Sequence, residues 1–276
     1  MNIIQRRRRY IGGLPTGYSN TGALALDGTN DFIQLPYNPQ AAIRNSFTVG
    51  MWISGDSLNT GNGLGNLKYL FASYKTFNVW FAVAIDANGR IRIFFQNGGG
   101  AYLAAQTDTT PYSSGATGNS GSDWEHVCIV VTEGSSGSDL TTVKTYINGS
   151  EVASTATSSS LDSSEQSSID LSGGFTTFGA YQHSAGSSNF IGQIPVNIDE
   201  MAMWTTALDA NSIAVVGNQS DIKDLTEDSG NYDNSSDLEF YYKLNEGTGA
   251  TAADFSGNGN TAALINSPSW ISGASN

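Results

Sequence analysis

Two short turns concentrate the hard oxygen donors of this 276-residue chain: Asp27-Gly-Thr-Asn30-Asp31 and Asp254-Phe-Ser-Gly-Asn258-Gly-Asn260. Hard cations take clustered carboxylate and amide oxygens without histidine. Asp27, Asn30, Asp31, Asp254, Asn258 and Asn260 are therefore the ligands to expect if the chain holds calcium. The competing reading is local: Asp and Asn in such turns satisfy the backbone N–H groups of their own loops. Softer metal chemistry is excluded. Cys128 is the single cysteine, and His126 and His183 are the only histidines, which leaves no disulfide, thiolate cluster or imidazole-rich zinc site.

Catalytic carboxylates are poorly placed. Asp199 and Glu200 are adjacent in a strand-like run, so alternation sends them to opposite faces. Asp123-Trp-Glu125 has no third carboxylate beside it, and no G-x-S-x-G elbow, H-E-x-x-H or phosphate loop occurs. The chain reads as a non-enzyme. A sugar site would instead need an aromatic platform beside hydrogen-bonding groups, and Trp52, Trp80, Tyr102, Tyr112 and Tyr181 are the aromatic candidates. Tyr181, His183 and Asn189, in a Gly/Ser-rich loop, are with Tyr112 the glycan-binding residues to expect. Trp124, Trp204, His126 and Cys128 read as packed structural residues.

The charge pattern adds a different kind of site. The chain carries 12 Lys+Arg against 25 Asp+Glu, a net −13 that repels phosphate backbones and disfavours nucleic acid as a partner. Four of the 12 basic residues are Arg6, Arg7, Arg8 and Arg9; the remainder is 8 basic against 25 acidic, or −17. A basic arm ending at Tyr10 on an acidic body suggests docking onto an acidic protein surface, its own neighbour included. Homo-oligomer formation or membership of a large assembly is the expectation. The arm runs into Tyr-Ile-Gly-Gly-Leu-Pro rather than an apolar core, which does not read as a secretory signal. No run approaches the roughly 18 apolar residues of a membrane span.

The elements that must position these groups have a period of two. Hydrophobic residues at 39% and aromatics at 11% suffice for a sizeable core, so the many Ser, Thr, Gly and Asn residues mark loops rather than disorder. Phe47, Val49, Met51 and Ile53 alternate with Thr48, Gly50 and Trp52. Residues 68–72, 78–85, 90–95, 126–132, 142–147, 151–154, 175–181 and 193–204 are further strands. Asn88-Gly89 and Asn148-Gly149 read as hairpin turns, because both positions tolerate positive φ. One short helix, 206–216, is expected to cap an open end of the sheets. Ser/Gly clusters at 113–122, 134–138 and 154–168 read as loops. The result is an all-β chain: a two-sheet antiparallel sandwich or jelly roll over residues 21–276, with an extended arm at 1–20.

Ala23-Leu-Ala-Leu-Asp-Gly-Thr-Asn-Asp-Phe-Ile-Gln-Leu-Pro36, Phe47-Thr-Val-Gly-Met-Trp-Ile53, Trp124-Glu-His-Val, Tyr146-Ile-Asn-Gly149 and Ile198-Asp-Glu-Met-Ala-Met-Trp204 followed by Ala207-Leu208 occur in that order. The ordered set resembles laminin-G-like domains of the concanavalin A-like lectin/glucanase fold. Tyr241-Tyr-Lys-Leu-Asn-Glu-Gly-Thr-Gly249 and Asp254-Phe-Ser-Gly-Asn-Gly-Asn260 resemble the segment that usually precedes the first block, so the domain looks circularly permuted. That implies residues 238–270 beside residues 22–36, with the two Asp/Asn turns close together. The resemblance also implies a calcium at a sheet rim. Domains with this vocabulary look similar to those of bacteriophage head decorations, fibres and tail proteins. The leading expectation is thus a non-enzymatic virion protein, made in the host cytoplasm, attached to other virion proteins by its arm and displaying a glycan-binding surface. The alternatives are a cell-surface carbohydrate-binding or adhesion module, and a glycoside hydrolase or lyase on the same fold.

Overall fold

A computed structural model describes residues 18–55, 58, 66–76, 78–112, 124–135, 139–182 and 189–274. Arg6–Arg9, Tyr10 and His183 lie outside these residues. The described chain forms two large antiparallel sheets packed face to face, with strands numbered in chain order. Sheet A runs β10 (Ser150–Val152), β9 (Thr142–Ile147), β8 (Glu125–Thr132), β3 (Phe47–Ser54), β15 (Pro195–Trp204), β1 (Ala23–Asp27), β19 (Ser269–Ile271), with β16 (Leu238–Tyr242) also pairing with β15. Sheet B runs β11 (Ser154–Ser159), β7 (Tyr102–Thr107), β6 (Ile91–Asn97), β5 (Val79–Ile85), β4 (Lys68–Thr76), β12 (Phe175–Phe178), β2 (Phe32–Gln34), β18 (Ala262–Ile265), β17 (Thr251–Ala252). A two-stranded ribbon, β13 (Tyr181–Gln182) with β14 (Phe190–Ile191), completes the set.

The alternation decides which face is core. Val49, Met51 and Ile53 of β3 meet Phe81, Val83 and Ile85 of β5 and Ile91, Ile93 and Phe95 of β6 between the sheets, all buried. Perpendicular ring contacts such as Phe47–Phe81, centroids 5.0 Å apart, lock the two layers. β18 pairs with β2, and β19 with β1, so residues 262–271 lie directly beside residues 23–34. The turn at Asn148-Gly149 has φ of 50° and 76°, the left-handed pair that a tight hairpin needs.

Three short α-helices occur among the described residues rather than one. α1 (Gln40–Ile43) and α2 (Ser163–Ser167) fill connections, the latter capped by Asp162, whose carboxylate accepts the Glu165 N–H. α3 (Ala210–Val216) starts four residues later than the expected helix, because Asp209 is its N-cap. It does not close an open end. Its Ile213 and Val216 pack with Cys128, Val130, Tyr146, Ala202 and Trp204 on the outer face of sheet A. The Ser-rich stretch 154–168 is likewise not all loop: β11 pairs with β7 from Ser154 to Ser159. Its outward positions face water and its inward contribution is small, so the polarity contrast that marks a strand is missing.

Candidate functional site

On sheet B the residues that point away from the core form rows across the strands. One row is Tyr74, Trp80, Gln96 and Tyr102, each opposite the next in register. The second is Ala72, Ala82, Phe94 and Ala104, and the third continues through Ala84, Arg92 and Gln106 to Thr155. The alanines are covered: Ala72, Ala82 and Ala84 are buried in one cluster with Tyr69, Tyr74 and Tyr181 on this face. Trp80, Arg92, Gln96, Tyr102 and Gln106 are only partly buried, so the part of this face over β5, β6 and β7 is open to a ligand.

The platform is held rigid. Trp80 stacks on Phe94 with centroids 5.3 Å apart, and its indole N–H donates to the Gln96 side-chain oxygen at 3.2 Å. That fixes the ring and leaves the Gln96 amide nitrogen to donate elsewhere. Arg92 lies over Phe94, 5.4 Å from the centroid, and meets Asp86 at 3.4 Å. Burial raises the Tyr102 phenol above its usual range, with nearby Arg92 opposing, so it stays a neutral donor. Behind Trp80, Tyr181 stacks on Tyr69 at 4.6 Å and meets Tyr74 and Trp80 edge-on. Tyr181 is 2% exposed and therefore buttresses the platform instead of offering its own face. Tyr112, at 1%, is also a core residue. Asn189 is exposed just ahead of β14. Trp52 sits on the far side of the molecule, buried with Ile222 and Ala274. Of the aromatic candidates, Trp80 and Tyr102 share the open row.

The Asp/Asn turns are separated and internally occupied. In the β2–β18 register Gln34 faces Ala263 and Phe32 faces Ile265, which puts the Asp27 turn by Asn266 and Asn260 by Tyr37. The two turns lie at opposite ends of this strand pair, not side by side. Asp27 Oδ1 accepts the N–H groups of Thr29, Asn30 and Asp31. Burial raises the Asp27 carboxyl, but these three donors outweigh it and hold it below its ordinary value. Burial, then the charge of Asp27, raises Asp31. Asp254 accepts N–H groups from Tyr241, Ser256 and Asn260. Asn258 and Asn260 donate to main-chain oxygens of Leu238 and Glu239. Among the described residues no three Asp, Glu, His or Cys come together as a metal site.

Asp199 and Glu200 do not point to opposite faces. The register of β15 on β3 slips between Asp199 and Ala202, and Glu200 has φ of 47°. This bulge turns both carboxylates to the outer face of sheet A. It falls where the neighbour along one edge of β15 changes from β1 to β16. Asp199 accepts from Asn20 at 2.6 Å and from the Ala274 N–H at 2.8 Å; Glu200 accepts from Tyr18 at 2.7 Å and from Tyr241. Burial raises Asp199 to about 7 against the pull of these donors. Burial, then the Asp199 charge, raises Glu200 well above the carboxylate range. At 0% and 2% exposed, neither can reach a substrate. His126 is fully buried against Trp52, with Nδ1 unpartnered, and burial lowers it to about 3. It is structural, though not hydrogen-bonded at both nitrogens. Cys128 is buried, its thiol pushed up by burial.

Two large antiparallel sheets packed face to face define the class of protein here as a concanavalin A-like β-sandwich. The sequence profile of the family described as "Concanavalin A-like lectin/glucanases superfamily" matches residues 27–214, and the chain belongs to that family. Among solved structures, a native heptameric SAP-like pentraxin from Limulus polyphemus is similar at 15% identity, TM-score 0.52, covering 93% of this chain and 96% of the other. A Bacteroides ovatus protein described as carbohydrate-binding is similar at 17% identity, TM-score 0.56, covering 92% of this chain and 60% of the other. Both likenesses show the fold. No curated protein matches the sequence. No helix among the described residues is long and apolar enough to cross a membrane.

Proposed function

We propose that this chain is a non-enzymatic carbohydrate-binding module whose ligand lies across the outer face of sheet B. The supporting observation is the partly exposed row Trp80–Gln96–Tyr102, with Arg92 and Gln106 beside it. Its aromatic faces suit the apolar face of a sugar ring, and its amide, phenol and guanidinium groups suit ring hydroxyls. Hydrolysis needs two carboxyl groups about 5–10 Å apart on either side of a bound sugar. The adjacent pair in this chain is buried on the opposite sheet, which favours binding without turnover. The Bacteroides ovatus protein of the same fold, described as carbohydrate-binding, is in keeping with this reading. The test is a glycan array with the wild type and Trp80→Ala. A bound glycan that the variant loses by about tenfold or more supports it; binding unchanged by Trp80→Ala and Tyr102→Ala together refutes it.

The charge contrast favours a second reading for the rest of the chain. Arg6–Arg9 on a body of −17 would attach the module to an acidic neighbour, as in a capsid decoration, fibre or tail component of a virion. Arginine-to-alanine changes at all four positions should release it from its particle or oligomer. Retained association removes the docking role.

A further inference from the structure

We infer a second, separate saccharide subsite at the end of the sandwich, in the pocket between the β2–α1 connection and the turn before β12. The inference takes its ligand class from the module reading above but rests on different residues. The cavity is about 380 Å³, lined by Pro36, Tyr37, Asn38, Gln40, Ser172 and the Gly173-Gly174 pair. This volume falls within the range of small-molecule sites, about 300–1,000 Å³.

Its walls are fixed before any ligand arrives. Tyr37 donates its hydroxyl proton to Glu239 at 2.7 Å and accepts from Asn260 at 3.2 Å, so the ring cannot swing. Burial and Glu239 raise its phenol far above the ordinary range, and it stays neutral. Asn38 donates to the Leu171 carbonyl at 2.6 Å, and its oxygen accepts from Ser73 and Thr176. Gln40 accepts the Leu171 N–H at 2.5 Å through its side-chain oxygen. The Gln40 amide nitrogen is then the donor left for a guest. Gly173 has φ of 73° with open space where a side chain would project, which keeps the mouth clear.

No ionised side chain is itself part of the lining; the nearby Lys75 pairs with Asp170 at 2.5 Å and also donates to the Ser172 hydroxyl at 3.4 Å. One immobile aromatic ring beside a fixed amide, with no ionised group in the lining, is the chemistry of an uncharged hexose or N-acetylhexosamine. Preorganised walls also spare the ordering cost of binding. Gly174 lies against the Tyr74 carbonyl, so the pocket opens at the same end of sheet B as the Tyr74–Tyr102 row. Two sites at one end would let a branched or multivalent glycan engage both, with a gain over either alone.

The experiment is amide-resolved NMR titration of the full chain with galactose, mannose and N-acetylglucosamine. At least one sugar should shift the Gln40 side-chain amide and the Gly173 backbone amide. Ser172→Trp, at an exposed position, should weaken that response at least tenfold and leave the Trp80 indole response in place; Trp80→Ala should leave the Gln40 and Gly173 shifts at their wild-type sugar dependence. Sugar shifts at Trp80 with none at Gln40 or Gly173 overturn the second subsite and leave the module reading standing. No response at either place overturns both.

Discussion

Two buried groups on the outer face of sheet A should tilt stability in opposite directions with pH. Trp52 lies between them in the register, opposite His126 on one side and Asp199 on the other. Asp199 is raised by burial from the ordinary 3.8 to about 7. A raised carboxyl stabilises the folded state fully below 3.8, and that contribution is lost as pH rises through 7. The gap is worth about 4 kcal/mol at about 1.4 kcal/mol per pH unit, of which about 3 kcal/mol falls between pH 5 and 8. Burial lowers His126 from 6.5 to about 3. Its neutral form is the stable one, so its contribution is complete above 6.5 and lost as pH falls towards 3, about 2 kcal/mol at pH 5. The two nearly offset, so between pH 5 and 8 the wild type should show mainly the fall that Glu200 adds, its carboxyl raised by burial and by the Asp199 charge. Asp199→Asn combined with Glu200→Gln should expose the histidine, with stability rising by about 2 kcal/mol over that interval. His126→Gln should expose the acid, with a fall of about 3 kcal/mol, steepened by Glu200. Urea unfolding at pH 5, 6, 7 and 8 reads these slopes whatever each variant costs overall. Slopes of the same sign in both variants would refute the pairing.

If the Asp/Asn turns serve their own backbones, a chelator should leave the melting temperature unchanged, while Asp254→Ala, which orphans three N–H groups, should cost about 1–3 kcal/mol; a chelator-induced drop of several degrees would restore calcium. Trp204 is fully buried and donates its indole N–H to Tyr232, which donates on to the Leu225 carbonyl. Trp204→Phe should therefore lose about 2 kcal/mol in urea unfolding, cavity and broken chain together, and a neutral result would contradict that packing. Cys128 should resist iodoacetamide in the native protein and react once denatured; ready native alkylation would show that the α3 layer lifts away.

The strands most legible in the sequence are those with one greasy and one contrasting face. β3, β6 and β8 stand close to where Phe47–Ile53, Arg90–Phe95 and His126–Thr132 place them, because alternation is itself the imprint of a buried face. β11 escapes because Ser154–Ser159 lacks that contrast. The bulge at Asp199–Glu200 is silent for another reason: adding a residue to one strand changes facing without changing composition. Counting by twos therefore puts the two carboxylates on opposite sides. Trp80 and Tyr102 are visible as candidates, yet only the registers of β5 on β6 and β6 on β7 bring them into one row. Tyr181 has the residue type of a ligand platform. Its burial comes from packing on Tyr69 and Tyr74 of β4, a contact between distant parts of the chain that its sequence neighbours do not encode.

Asn20 and Ala274 converge on the same Asp199 oxygen, so the described chain enters and leaves the domain at one point, on the side away from the Trp80 row. A tether fastened at either end would work as a handle behind a paddle. It would carry the open face outward, and lengthening or swapping the tether would leave the angle of that face to the handle unchanged.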